Sequence, residues 1–229
     1  MACLGTCLAL CVRAMQFLGT APLISVIVPA HNCEAYLNEA IASLTAQTIE
    51  DLEIIIVDDG STDDTARVAA ECAKRDARVR VISRSKASGR PACARNIGLR
   101  VARGEYIALL DADDIAMPHR FESAIDAMKR TGARFAFADY RRLHQDTGEI
   151  DRKGFLASNS LLARAAKYLQ RVDENVYLCS AKFAAFLLTF TAVHTPTVVF
   201  ERSLLSGNVT GFDESLVCFE DVDLCFRFA

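Results

Sequence analysis

From Leu23 onward, short runs of β-branched and aliphatic residues alternate with stretches whose apolar positions recur every three to four residues. That alternation predicts a parallel sheet covered by helices. Strands are expected at 24–28, 53–57, 79–82, 106–110 and 134–138, with a further strand at 197–201. Leu37, Ile41 and Leu44 share a helical face after the first strand. After the second, Ser61 or Thr62 is placed to cap a helix whose first turn carries Asp63 and Asp64. A third helix is expected over 91–103, with proline in its first turn and Gly104 ending it, and a fourth over 118–130. Residues 141–188 lose the periodicity and read as a mixed, helical region. A Gly/Asn-rich turn and an acidic helix start at 220–223 close the chain.

The pattern makes the strand ends conspicuous. In open α/β sheets the ligand crevice lies beyond the carboxyl ends of the strands. Here the first strand runs into Pro29, Ala30, His31 and Asn32, the second into Asp58, Asp59 and Gly60, and the fourth into Asp111, Ala112, Asp113 and Asp114. Asp111 and Asp113, two apart on an extended segment, can face one side and share a hard cation such as Mg2+ or Mn2+. Taken singly, each acidic cluster also has a plain reading as a turn or helix cap. The chain has no G-x-G-x-x-G after its first strand and no P-loop, which removes the dinucleotide-fold and P-loop readings.

Composition narrows the rest. With 229 residues, 52% of them hydrophobic, the chain can bury one sizeable core. A net charge of −3 with interspersed signs gives no basic face for nucleic acid. Nine cysteines without a C-x-x-C pair signal neither a disulfide framework nor a zinc knuckle, and read as reduced, cytosolic packing thiols. Residues 1–22 read as an extension. Arg13 leaves its uncharged run short of the roughly 20 residues a spanning helix needs. A membrane-surface helix and a start at Met15 are both open, and peripheral contact with the inner face of the cell membrane goes with the first.

Five segments recur in order: SVIVPAHNCEAYLNEAIASLTAQT, EIIIVDDGSTDDT, GRPACARNIGL, GEYIALLDADD and GFDESLVCFEDVDLCFR. Together they resemble the inverting family 2 glycosyltransferases. The resemblance implies a GT-A-like α/β fold, a Rossmann-related, mixed, mostly parallel sheet flanked by helices, over 23–229. Residues 23–140 would bind the nucleotide-sugar, and 141–229 would form the acceptor half. The expected activity is transfer of a sugar from a nucleoside diphosphate donor, a UDP-sugar, to a glycan or lipid-linked acceptor in polysaccharide or glycoconjugate synthesis.

Carried over residue by residue, the resemblance implies that Pro29, His31, Asn32 and Glu34 line the nucleotide pocket, with Asp59 or Asp58 meeting the base. His31 stands where the family often has tyrosine. Arg95 would lie near the nucleotide or its phosphates, or serve as a structural ion-pair partner. Asp111 would contact the ribose or a divalent metal, Mn2+ or Mg2+, and Asp113 the metal. Glu220 and Asp221 match the late acidic element whose aspartate is the general base. The family often continues past this helix, sometimes with a further histidine ligand, whereas this chain ends at Ala229. A non-catalytic or truncated nucleotide-sugar-binding module is therefore an alternative. A nucleotidyltransferase is a second, although the glycine-rich basic loop it would need is missing.

Overall fold

The computed structural model describes residues 21–158, 160–180, 182–183 and 193–228. Cys3, Cys7, Cys11 and Met15 lie outside them, so the readings of the N-terminal extension that rest on those residues do as well. In chain order the elements that build the site are β1 (Ile24–Ala30), α1 (Leu37–Thr45), β2 (Leu52–Asp58), α2 (Thr65–Arg75), β3 (Val79–Ser83), α3 (Pro91–Val101), β4 (Tyr106–Leu109), α4 (Arg120–Thr131) and β5 (Phe135–Phe137). They are followed by α5 (Phe155–Ser158), α6 (Leu161–Ala165), the hairpin β6 (Leu169–Arg171) and β7 (Tyr177–Cys179), β8 (Val198–Glu201) and α7 (Glu220–Phe228).

Six strands form one mixed sheet in the order β3-β2-β1-β4-β8-β5. β1 pairs in parallel with β2 from Ile24↔Leu52 to Ala30↔Asp58, and with β4 from Ile24↔Tyr106 to Ile27↔Leu109. β8 runs antiparallel between β4 and β5, so β5 points the same way as β4. The carboxyl ends of β1 to β5 and the entry to β8 therefore share one edge of the sheet.

Helices cover both faces, which is why the central strands read as continuous apolar runs rather than alternating ones. Alternate residues divide between two cores. Val26, Val28, Ile54 and Ile56 pack with Leu37, Ile41, Leu44, Phe121, Ile125 and Met128 on the face of α1 and α4. Ile27, Ile107 and Leu109 pack with Leu99, Phe200 and Leu224 on the face of α3 and α7.

Several boundaries differ from the sequence reading. Ser61 and Thr62 do not cap α2: it begins at Thr65 after Asp64, so Asp63 and Asp64 precede its first turn, and carboxylates meet two amide donors there. Asp63 Oδ1 accepts the Thr65 N–H (3.0 Å) and Glu34 Oε2 accepts the Asp64 N–H (2.7 Å). Gly104 is not a helix cap: α3 ends at Val101 with Ala102 extended. A side chain at 104 would collide with the backbone of Ile24 and Ser25, so the glycine serves a close approach to β1. α4 starts at Arg120 and ends on Gly132, whose φ of 71° places it in the left-handed region. The described residues of 141–180 are less helical than expected, consisting of turns, two short α-helices, a 3-10 turn at Ala166–Tyr168 and the β6–β7 hairpin. Among the described residues no helix is long and apolar enough to cross a membrane.

Candidate active site

The tips of β1 and β2 are stitched together. The Asp59 N–H donates to the Ala30 carbonyl (2.8 Å), and His31 Nδ1 lies 3.0 Å from the Asp59 carbonyl oxygen. An acceptor there requires the proton on Nδ1, leaving Nε2 to accept from Asn32 Nδ2 at 3.3 Å. Asn32 holds φ 50°, a conformation asparagine tolerates, and its Oδ1 accepts the Thr62 N–H (2.8 Å). Pro29 pairs with Val57 at the last rungs of the ladder. Asp58 is buried and accepts the Ser61 N–H (3.1 Å), which closes the turn between β2 and α2.

Asp59 is also buried. Arg84 Nη1 meets its Oδ1 at 2.6 Å, while the backbone N–H of Ser88 (2.9 Å) and the Ser88 hydroxyl donate to its Oδ2. Glu34, an expected pocket residue, uses its carboxylate on the α2 start, as described above. The β1 and β2 tips thus form a pre-organised polar floor.

The β4 tip is anionic. Burial, then the Asp111 and Asp113 carboxylates, push the Asp114 carboxyl up to about 6. Asp113 is exposed and lies near enough to Cys33 to help raise its thiol pKa, a shift that burial dominates, so the tips of β1 and β4 are neighbours. Beneath the loop, Arg120 Nη2 donates to the Leu109 carbonyl (2.8 Å) and reaches the Val198 carbonyl (3.4 Å), tying β4 to β8. Its Nε and Nη1 are buried without a hydrogen-bond partner among the described residues. Burial lowers its guanidinium to about 10, with Asp114 and Asp111 opposing that fall.

Arg95 is an ion-pair partner in the structure, joining the β4 tip to the start of α7. Its guanidinium is 4% exposed, with Nη2 on Asp111 Oδ1 (2.8 Å) and Nη1 on Glu220 Oε1 (2.9 Å). It also lies over the Phe212 ring at 5.5 Å. Glu220 is thereby committed to Arg95. The next residue, Asp221, accepts the Thr195 hydroxyl on Oδ2 (2.7 Å) and the Val222 N–H on Oδ1 (2.8 Å). Phe219, at φ 64°, occupies a region aromatic residues rarely adopt and turns the chain into α7, whose first turn carries Glu220, Asp221 and Asp223.

α3 clamps the late acidic segment a second time. Asn96 Nδ2 donates to the Phe212 carbonyl (2.9 Å) and to Glu214 Oε1 (2.8 Å), and its Oδ1 accepts the Phe212 N–H (2.8 Å). A side chain at Gly211, where φ is 154°, would strike Asn96. Sequence reasoning missed Asn96, Arg84, Ser88, Thr195 and Arg120. The only local signal for any of them was the position of Asn96 beside Arg95 and of Thr195 at the entry to a strand.

Comparison with known proteins places this geometry. The model of Glycosyl transferase family 2 matches residues 25–190, and the chain belongs to that family. It is 38% identical over 210 residues to chondroitin synthase of Escherichia coli, covering 91% of this chain and 26% of that protein. It is 46% identical over 101 residues to the uncharacterized glycosyltransferase EpsJ of Bacillus subtilis, covering 44% of this chain and 29% of EpsJ. Among solved structures, S. aureus TarS 1–349 superposes with a TM-score of 0.65 at 24% identity, over 90% of this chain and 54% of that one. Mannosyltransferase PcManGT of Pyrobaculum calidifontis, in complex with GDP-Man and Mn2+, gives a TM-score of 0.67 at 20% identity, over 97% and 59%. These neighbours show the GT-A fold. The chain spans about a quarter of the length of the chondroitin synthase and just over half of the TarS and PcManGT chains.

Proposed function

We propose that this chain transfers a sugar from a nucleoside diphosphate sugar, a UDP-sugar, to a hydroxyl acceptor with inversion, in polysaccharide or glycoconjugate synthesis. The observation that carries the reading is the Asp111–Arg95–Glu220 bridge, which fixes the acidic β4 tip and the start of α7, with Asp221, to each other. A UDP-GlcNAc complex of TarS, a neighbour of the same fold, supports the donor class.

The β1 and β2 tips would receive the nucleotide, with Asp59 and Asp58 on the base side and Pro29, His31, Asn32 and Glu34 around it. Asp221 would take the proton of the acceptor hydroxyl as its oxygen attacks the anomeric carbon from the side opposite the diphosphate. Thr195 fixes the Asp221 carboxylate by donating to Oδ2, while Oδ1 accepts the Val222 N–H.

The β4 tip suits a divalent cation: its donors are carboxylate oxygens, and Asp111, Asp113 and Asp114 crowd three carboxylates into one short loop. Among the described residues no three acidic, histidine or cysteine side chains gather closely enough to hold an ion alone. Asp111 and Asp113 would therefore hold Mn2+ or Mg2+ together with donor phosphate oxygens and water, and the bound ion supplies charge stabilisation for the departing diphosphate.

Asp221→Asn tests this reading. UDP release from a panel of UDP-sugars with Mn2+ is expected to fall about 10²–10⁴-fold, the usual worth of a positioned base, while UDP binding persists. Equal turnover in both forms would remove Asp221 from the mechanism. UDP binding without turnover in the parent chain would instead mark a binding module.

A further inference from the structure

Three rings stand in a row on the acceptor side of the site, outside the residues already given a role. Tyr140 stacks on Phe155 with centroids 4.8 Å apart and planes 14° apart, and His194 packs against Tyr140 at 4.7 Å. Two different segments contribute them. Tyr140 lies in the loop that leaves β5, and His194 immediately precedes Thr195 and β8. Because β5 runs parallel to β4 and β8 runs antiparallel, the exit of one and the entry of the other meet at the edge that carries the acidic tips.

The row is built rather than incidental. Phe155 N–H donates to the Tyr140 carbonyl (2.8 Å), and Asp139 Oδ1 accepts the N–H groups of both Tyr140 and Leu156 (2.9 Å each). A side chain at Gly154 would collide with the Asp139 carboxylate, so that glycine permits the clamp. His194 sits between two buried residues, Val193 and Thr195, yet is itself exposed.

Its position relates it to the proposed base: Thr195, the next residue, donates to Asp221.

We propose that His194, backed by Tyr140 and Phe155, is the platform on which the acceptor sugar rests, so that this row of rings positions the acceptor hydroxyl at Asp221. An exposed ring presents a flat face on which the C–H face of a pyranose can pack. A ring already braced from behind also loses little freedom when the sugar lands. The ligand class is therefore a glycan acceptor, bound through the face of one sugar ring. The inference rests on the proposed transfer reaction.

The test uses the full chain, the UDP-sugar that gives the fastest Mn2+-dependent UDP release, and p-nitrophenyl glycosides of hexoses, N-acetylhexosamines and hexuronic acids as probe acceptors. His194→Ala is expected to raise the KM for the best glycoside by about tenfold while shifting the donor KM less than twofold. His194→Phe, which keeps a flat ring, is expected to recover most of the loss. An acceptor KM indifferent to His194→Ala, a His194→Phe variant no better than the alanine one, or a parent chain whose UDP release no glycoside accelerates would each overturn the platform. A parent chain that releases no UDP from any UDP-sugar would instead overturn the transfer reaction, and the platform with it.

Discussion

At Arg95 one buried side chain settles the geometry of the site. Breaking a buried ion pair by removing one partner is costly because it leaves the other charge unpaired. Here Asp111 stays partly solvated, so Arg95→Met is expected to cost about 2–4 kcal/mol rather than more. Urea denaturation checks this, and a loss below about 1 kcal/mol would deny the bridge its structural role. Asp114 supplies the pH dependence. Its folded carboxyl is raised to about 6, above its unfolded value, so the native state binds its proton more tightly. The group is neutral in both states at low pH, and its ionisation costs the fold stability as pH rises through the interval up to about 6. In chelator-treated protein Asp114→Asn is expected to be more stable than the parent at pH 7.5 by about 1–3 kcal/mol, with the gap closing near pH 4. A gap independent of pH would contradict the assignment.

What was legible at this scale followed from distance along the chain. The turn residues Asp58 and Asp59 were visible because β-branched runs end abruptly in Asp-Gly. The role of Arg95 was not decidable, because its partners lie 16 and 125 positions away and no local pattern names them. Glu34 shows the same limit: a residue on the β1 side satisfies an amide at the start of α2.

Among the elements, α3 lies close against β1. Gly98 faces Ile27, and a side chain there would overlap Ile27 Cγ2. Ile27 is fully buried and β-branched, so it has nowhere to turn. Two effects oppose each other in Gly98→Ala: alanine favours a helix by about 1 kcal/mol, while overpacking a core costs about 1–3 kcal/mol. Because the neighbour is rigid, the second is expected to win, giving a net loss of about 1 kcal/mol in chemical denaturation; a stabilised variant would contradict this. The strands were readable because β1, β2 and β4 are buried on both faces and lack alternation. The stretch 141–180 was not, because pieces of three to five residues carry no period long enough to detect.

Across the whole molecule, the sheet's mixed topology does the assembling. Five parallel strand ends deliver the polar floor, the acidic tip and the ring-bearing loop to one edge, and β8 enters there with Thr195 attached. The clamp of Asn96 on Phe212 and Glu214, with Arg95 on Glu220, then locks the late acidic segment against that edge. The partners in these clamps lie more than 110 positions apart in sequence, so the site exists only once the sheet has formed.

The most direct measurement is calorimetric titration of UDP into the chain with Mn2+, with a chelator, and into Asp113→Asn with Mn2+. Convergence of the strand tips around a cation and a diphosphate requires binding that depends on the metal and weakens at least tenfold in the variant. Binding of equal strength in all three titrations, or none in any, would contradict it.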